Sequence, residues 1–217
     1  MTESGPLGLF GGTFDPIHHG HLRLAEEALG RLGLAGIRWI PAGQPPHRAA
    51  PGVTGQDRLE MVRLAIAGHP QFSLDPAEVD AAAPSYTHTT LTRLRHELGP
   101  VQPLVLLLGA DAFAGLASWH RWQEMLDLAH LAVAHRPGYP IAAAALPAAL
   151  AAEYHARHGE GPAALAGAPA GRILSFPMTQ LAISATQIRQ LLAERASPRY
   201  LLPEAVLHYI QNHHLYR

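Results

Sequence analysis

Residues 7–21 read Leu-Gly-Leu-Phe-Gly-Gly-Thr-Phe-Asp-Pro-Ile-His-His-Gly-His. The run 7–10 is apolar apart from Gly8 and ends at Gly11-Gly12, the pattern of a short buried strand entering a tight turn. Beyond the turn the period changes. Leu22, Leu24, Ala25, Ala28, Leu29 and Leu32 recur at helical spacing, which predicts an amphipathic helix over 21–32.

The same alternation runs outward from this segment. Further strands are predicted at 37–40, 104–108, 131–134 and 172–176, and helices at 56–67, 87–98, 186–194 and 204–212. A Pro/Gly-rich loop fills 41–55. The alanine-rich stretch 142–156 reads as helical, and 159–171, rich in Gly, Ala and Pro, as an exposed connection. Strands alternating with helices predict a Rossmann-like, doubly wound α/β fold, with a mostly parallel sheet and helices on both faces. In such sheets ligands bind outside the carboxyl ends of the strands. The loops after Phe10, Ile40, Leu108 and Ala134 are therefore the informative ones. With 217 residues, no internal repeat and no linker, a single domain over 1–217 is expected, its C-terminal helices (about 184–217) packed on it.

Composition narrows the function. Hydrophobic residues make up 48%, charged residues 15%, and the formal net charge is −1, an ordinary globular balance. Binding to nucleic acid or an anionic membrane by bulk charge is disfavoured. There is no cysteine, which excludes disulfides, thiolate catalysis and iron–sulfur clusters. There is no lysine either. All 16 basic residues are Arg, which removes the P-loop lysine and Schiff-base chemistry. Residues 1–9 lack the pattern of a signal peptide, and the apolar stretches 104–108 and 141–152 are too short to span a bilayer. A cytoplasmic protein is expected.

Two turns carry candidate chemistry. Gly11 and Gly12 let backbone approach a ligand, and the helix after them offers free N–H groups to phosphate. His18 and His21, three apart around Gly20, share a face if the helix starts near His18, and their rings could donate to phosphate oxygens. A cap or surface role fits the same spacing. Ser184-Ala185-Thr186-Gln187 has capping-box spacing. It is either a plain cap or a second phosphate-facing helix start, with Arg189 one turn on. The G-x-G-x-x-G pattern is absent at the first turn, so a nicotinamide-dependent oxidoreductase is not supported.

The stretch 11–21 resembles the GGTFDPxHxGH signature of the HxGH nucleotidyltransferase superfamily. Together with Ile40-Pro41-Ala42, Pro45-Pro46-His47-Arg48, Ala83-Pro84-Ser85-Tyr86-Thr87, Gly109-Ala110-Asp111, Trp119, Arg136-Pro137-Gly138-Tyr139 and Ile183-Ser184-Ala185-Thr186-Gln187-Ile188-Arg189, it resembles more narrowly the bacterial nicotinate-nucleotide adenylyltransferase family over residues 9–217. The resemblance implies transfer of AMP from ATP to nicotinate mononucleotide, with release of pyrophosphate, in NAD biosynthesis. It implies catalytic roles for His18, His21 and Arg189. ATP contacts are implied for Gly11, Gly12, Thr13, Phe14, His18, Gly20, His21, Ile183, Ser184, Thr186 and Arg189. Acceptor contacts are implied for His47, Arg48, Thr87, Gly109, Asp111, Trp119, His120 and Arg136. Mg²⁺ is implied as a cofactor held mainly by ATP phosphates, with no dedicated protein metal site.

Plainer roles stand beside these. Trp119 could be core, Thr87 an N-cap, Asp111 a turn residue, Arg136 a partner for a carboxylate, and His47-Arg48 merely solvated. The chain departs from the family pattern at Ala185, where many members have Ser, at Arg48, often Lys, and at His120, often Tyr. Ala185 removes one possible hydroxyl donor, Arg48 can grip phosphate bidentately with a different geometry, and His120 leaves the contact unchanged if backbone supplies it and alters specificity if the ring does. The rivals are the same chemistry on nicotinamide mononucleotide or pantetheine phosphate, a nucleotide sensor without catalysis, and a histidine-rich metal binder built on His213-His214 or His155/His158. The expected partners are ATP and nicotinate mononucleotide, without nucleic acid or membrane; a homo-oligomer is compatible with the sequence.

Overall fold

A computed structural model describes residues 5–44, 52–81 and 83–217. The strands are β1 (Leu7–Gly12), β2 (Gly36–Pro41), β3 (Phe72–Leu74), β4 (Leu104–Gly109), β5 (His130–His135) and β6 (Ile173–Pro177). The helices are α1 (His19–Leu32), α2 (Gly55–Ile66), α3 (Ala77–Asp80), α4 (Thr87–Leu98), α5 (Ala110–Ala114), α6 (Trp122–Leu128), α7 (Ala148–Arg157), α8 (Ala163–Ala166), α9 (Ala185–Ala193) and α10 (Glu204–Asn212). The strands form one sheet of order β3-β2-β1-β4-β5-β6, which reverses direction between β1 and β4 as in a doubly wound fold. β1 and β4 pair in parallel with Leu7 opposite Leu104, β4 and β5 with Val105 opposite His130, and β5 and β6 with Leu131 opposite Ile173.

The central strands are apolar because both faces are covered. Leu104–Leu108 of β4 and Leu131–Ala134 of β5 are all buried. α1 follows its predicted stripe, burying Leu24, Ala25, Ala28, Leu29 and Leu32. It also buries Glu27, whose carboxylate accepts from Arg31 Nε at 3.1 Å and from the Thr179 N–H at 3.0 Å. Those two charged and polar donors offset the loss of water.

The contacts of the chain group into two compact units. One comprises Met1–Phe10, Leu24–Arg38 and Tyr86–Thr179; the other comprises Gly11–Arg23, Trp39–Ser85 and Gln180–Arg217. The first contains β4–β6 and their helices. The second contains the glycine turn, α2, α9 and α10. In the second unit α10 buries Val206, Leu207 and Ile210, and its Tyr209 hydroxyl donates to Asp57 Oδ1 of α2 at 3.0 Å.

Two local expectations are corrected. The stretch 142–156 is not one helix: a 3₁₀ turn at Ala143–Ala145 precedes α7, and Pro147 stands at the N-cap of α7. Proline has no N–H for a helix interior, so the helix starts after it. The stretch 159–171 is more than an exposed connection. It holds α8, and Leu165 there is fully buried.

Candidate active site

β1 delivers the chain to Gly11 and Gly12. A Cβ on Gly12 would stand 2.8 Å from the Phe14 ring, closer than packing permits, so this position requires glycine. Phe14 itself is in the left-handed region at φ 49° and is 2% exposed. Its ring lies 5.1 Å from the His21 ring and 5.5 Å from Trp39, centroid to centroid. Around Gly11 nothing among the described residues lies within 4 Å of where a Cβ would be, which leaves backbone open to a ligand.

The two histidines meet. Their rings stack at 3.8 Å between centroids, and the His18 main-chain N–H donates to His21 Nδ1 at 3.2 Å. A backbone N–H can only donate, so Nδ1 of His21 is unprotonated in this arrangement and Nε2 carries the ring proton. Gly20 makes room for the pair: a Cβ there would lie 3.0 Å from His18 Cε1 and Nδ1. His18 is buried, and its Nδ1 has no hydrogen-bond partner among the described residues. Burial, with a smaller contribution from neighbouring His19, pulls its pKa down to about 4. A neutral His18 ring at neutral pH carries one N–H donor and one acceptor.

This shift has a consequence for stability. The unfolded chain takes up the His18 proton near pH 6.5, the folded one only near pH 4. Between those values the unfolded state holds the extra proton, so stability falls as pH drops through this window. The loss is at most about 3 kcal/mol. We expect the melting temperature of the ligand-free protein to fall more steeply from pH 6.5 to pH 4 than that of His18→Gln, measured by circular dichroism. His130, also pulled down by burial, contributes equally to both. Parallel curves would refute the assignment.

The second turn comes against the first. The Ser184 side chain accepts from the Gln187 N–H at 3.1 Å and caps α9, as its spacing predicts. The position of a Cβ on Gly20 is 3.8 Å from the Ile183 carbonyl oxygen, so the starts of α1 and α9 are neighbours. Ser184 and Thr186 are exposed. Arg189 Nη1 donates to the Asp15 carbonyl oxygen at 2.6 Å, and its Nη2 lies 3.4 Å from Thr186 Oγ1. Gly11, Gly12, Thr13, His18, Gly20, His21, Ile183, Ser184, Thr186 and Arg189 thus belong to one unit.

Three further residues of this unit escaped the sequence reading. Arg58, on α2, is 1% exposed. Its Nη1 donates to the carbonyls of Thr13 at 2.8 Å and Ala42 at 2.5 Å, and its Nη2 to that of Gly43 at 2.9 Å. One guanidinium so ties the loop after β1 to the loop after β2. Burial lowers its pKa, opposed by the charge of Asp15. Arg58 shares the buried face of α2 with Met61 and Val62. A charged residue three and four positions before two apolar ones was the available signal. Asp15 and Tyr216 are the other two. Asp15 is buried and accepts from the Gly52 N–H at 3.0 Å and the Tyr216 hydroxyl at 2.6 Å.

The acceptor-side residues lie in the other unit, apart from His47 and Arg48, which fall outside the described residues. Thr87 is the first residue of α4; Tyr86 occupies the N-cap without a side-chain cap bond. The Tyr86 ring lies 4.8 Å from the His120 ring, which brings the start of α4 beside the 119–121 turn. Trp119 closes the 3₁₀ turn Leu116–Ser118 and is half-buried; Trp39, fully buried, is the core tryptophan. Gly109 precedes α5, and Asp111 is exposed in its first turn. Gly109 is opposite Ala134 in the sheet, so the exposed Arg136 emerges at the same strand ends as Asp111.

A family model described as cytidylyltransferase-like matches residues 9–191. A protein of Dechloromonas aromatica is 66% identical over 217 residues, all of this chain and 99% of its own. Another, of Acidithiobacillus ferrooxidans, is 49% identical over 97% of this chain and 95% of its own. Both carry the name "Probable nicotinate-nucleotide adenylyltransferase". The chain belongs to the nicotinate-nucleotide adenylyltransferase family within the cytidylyltransferase-like nucleotidyltransferases. Its fold matches that of Plasmodium falciparum nicotinic acid mononucleotide adenylyltransferase, complexed with NaAD, with a TM-score of 0.73 over 98% of this chain and 97% of that one, at 15% identity. The same enzyme complexed with APC gives 0.70.

Proposed function

We propose that this enzyme joins AMP from ATP to nicotinate mononucleotide, releasing pyrophosphate. The observation that carries the reading is the meeting of two helix starts in one unit, α1 with His18 and His21, and α9 with Ser184 and Arg189. Each end carries the positive pole of a helix dipole, a setting for a triphosphate. The acceptor's phosphate oxygen attacks the α-phosphorus of ATP in line, and the bond to the β-phosphate oxygen breaks. That phosphate is largely ionised near neutral pH, its second pKa being about 6, so no strong base is needed. The residues bind and orient the reactants and stabilise charge with His21 Nε2–H and the Arg189 guanidinium.

Mg²⁺ would ride on the phosphates of ATP with water as its remaining ligand. Among the described residues no group of three His, Asp or Glu is suited to hold a metal, and both oxygens of Asp15 are engaged. No protein ligand is assigned to it. The reading sets the enzyme in the cytoplasm, where ATP is made; no helix among the described residues is long and apolar enough to cross a membrane.

Thr87, Asp111, Trp119 and Arg136 would take the acceptor, with the half-buried Trp119 ring stacking on pyridine. Trp119→Ala should raise the KM for nicotinate mononucleotide several-fold and leave that for ATP nearly unchanged; base–aromatic stacking is worth about 1–3 kcal/mol. The reverse pattern would remove Trp119 from the acceptor site. The reading as a whole is tested by turnover of ATP with nicotinate mononucleotide and with nicotinamide mononucleotide, side by side. Preference for the acid is expected. Turnover of the amide alone would reassign the substrate.

A further inference from the structure

Tyr216 is far from the glycine turn in sequence and against it in space. Its hydroxyl donates to Asp15 Oδ1 at 2.6 Å, and its ring lies 3.5 Å from where a Cβ on Gly52 would stand. Gly52 N–H donates to Asp15 Oδ2 at 3.0 Å. Each oxygen of this buried carboxylate therefore has a neutral donor of its own. Arg189, the cation beside it, makes its short bond to the Asp15 main-chain carbonyl and stops 3.8 Å from the carboxylate. Guanidinium has five N–H donors. Beyond the bond at 2.6 Å, the long one to Thr186 and the loose ion pair with Asp15, those of Arg189 have no further hydrogen bond among the described residues.

An arginine and a carboxylate this close ordinarily close into a bidentate pair. We propose that Tyr216 is a positioning residue of the nucleotide site: by occupying Oδ1 of the Asp15 carboxylate it keeps Arg189 from closing a bidentate ion pair on both oxygens and leaves that guanidinium to the triphosphate. This rests on the reading of ATP at the starts of α1 and α9. Burial and the bond to Asp15 push the Tyr216 phenol well above its ordinary pKa, so it stays a donor at every working pH. Without the hydroxyl, Asp15 Oδ1 is left buried and unsatisfied, which is costly. Arg58 cannot answer it with either Nη, both held by three carbonyls, and has only its Nε, without a partner among the described residues, to offer. Arg189 can, and would turn from the nucleotide to do so.

The test is ATP affinity by isothermal titration calorimetry, for the parent, Tyr216→Phe, Asp15→Asn and the double variant, below the melting temperature of each. ATP binding needs no acceptor, so the readout does not depend on which mononucleotide is used. Tyr216→Phe is expected to bind ATP about tenfold more weakly, the scale of one charged hydrogen bond, with acceptor KM within twofold of the parent. Deleting residues 216–217 should reproduce the loss. In the Asp15→Asn background, with no carboxylate to draw Arg189 in, Tyr216→Phe should cost less than about twofold; this coupling separates positioning from general support of the fold. Parental affinity in Tyr216→Phe, or an equal loss with and without the Asp15 charge, overturns the proposal. A parent protein that binds no ATP defeats the functional reading itself, before any variant is compared.

Discussion

Replacing His21 with alanine is expected to lower kcat by at least about a hundredfold, the scale of losing one donor aimed at developing negative charge. The geometry gives the reason. The His18 N–H occupies His21 Nδ1, which leaves the ring proton on Nε2. The stacked His18 ring and the Phe14 ring hold that imidazole from two sides, so its donor is fixed before ATP arrives. Fixed donors cost little reorganisation when charge develops. The effect should fall on kcat more than on ATP affinity, because charge on the transferring group grows only as the reaction proceeds. Pyrophosphate release under saturating substrates measures it. Turnover within threefold of the parent would take His21 out of the reaction.

The second large effect is expected at Arg58. Alanine there leaves the carbonyls of Thr13, Ala42 and Gly43 without the donor that holds them at 2.5–2.9 Å. Each half-buried carbonyl left without its donor costs up to about 1 kcal/mol, so a loss of at most about 3 kcal/mol is expected in urea unfolding. Removing a buried charge recovers part of that cost. Arg58→Met keeps the bulk and tests the balance: a methionine variant as stable as the parent would show that the three bonds only offset burial of the guanidinium. Activity should fall in both variants even where they remain folded, since the Thr13 carbonyl belongs to the turn proposed above to receive the nucleotide.

What could be read from the residues alone follows a physical division. The first strand, its glycine turn and α1 were legible because period and turn chemistry are local. The Ser184 cap was legible for the same reason: its donor is three residues away. β3 was not, since three half-exposed or exposed residues leave no alternation to detect. Nor was α8, because Gly and Pro around it mask the single buried Leu165. The site divides likewise. His18 and His21 stood out by spacing, but the free Nδ1 and the lowered pKa of His18 depend on burial that no short window reports. Arg58 has partners 45, 16 and 15 residues away, and Asp15 meets Tyr216 across 201 residues. Such bonds become visible only when the chain is folded.

The span from Asp15 to Tyr216 also sets an order of events during synthesis. A nascent chain emerging from the ribosome carries the glycine turn from the start but lacks α9 until residue 193 has cleared the exit tunnel, and lacks the Tyr216 hydroxyl for longer still. Its first turn must wait, unclasped, for the 201 residues that separate Asp15 from Tyr216, and on the proposed reading nucleotide cannot help assemble it early. Messages truncated before codon 184 should therefore yield products that ATP does not rescue from proteolysis, whereas full-length product should gain protection as soon as it is released.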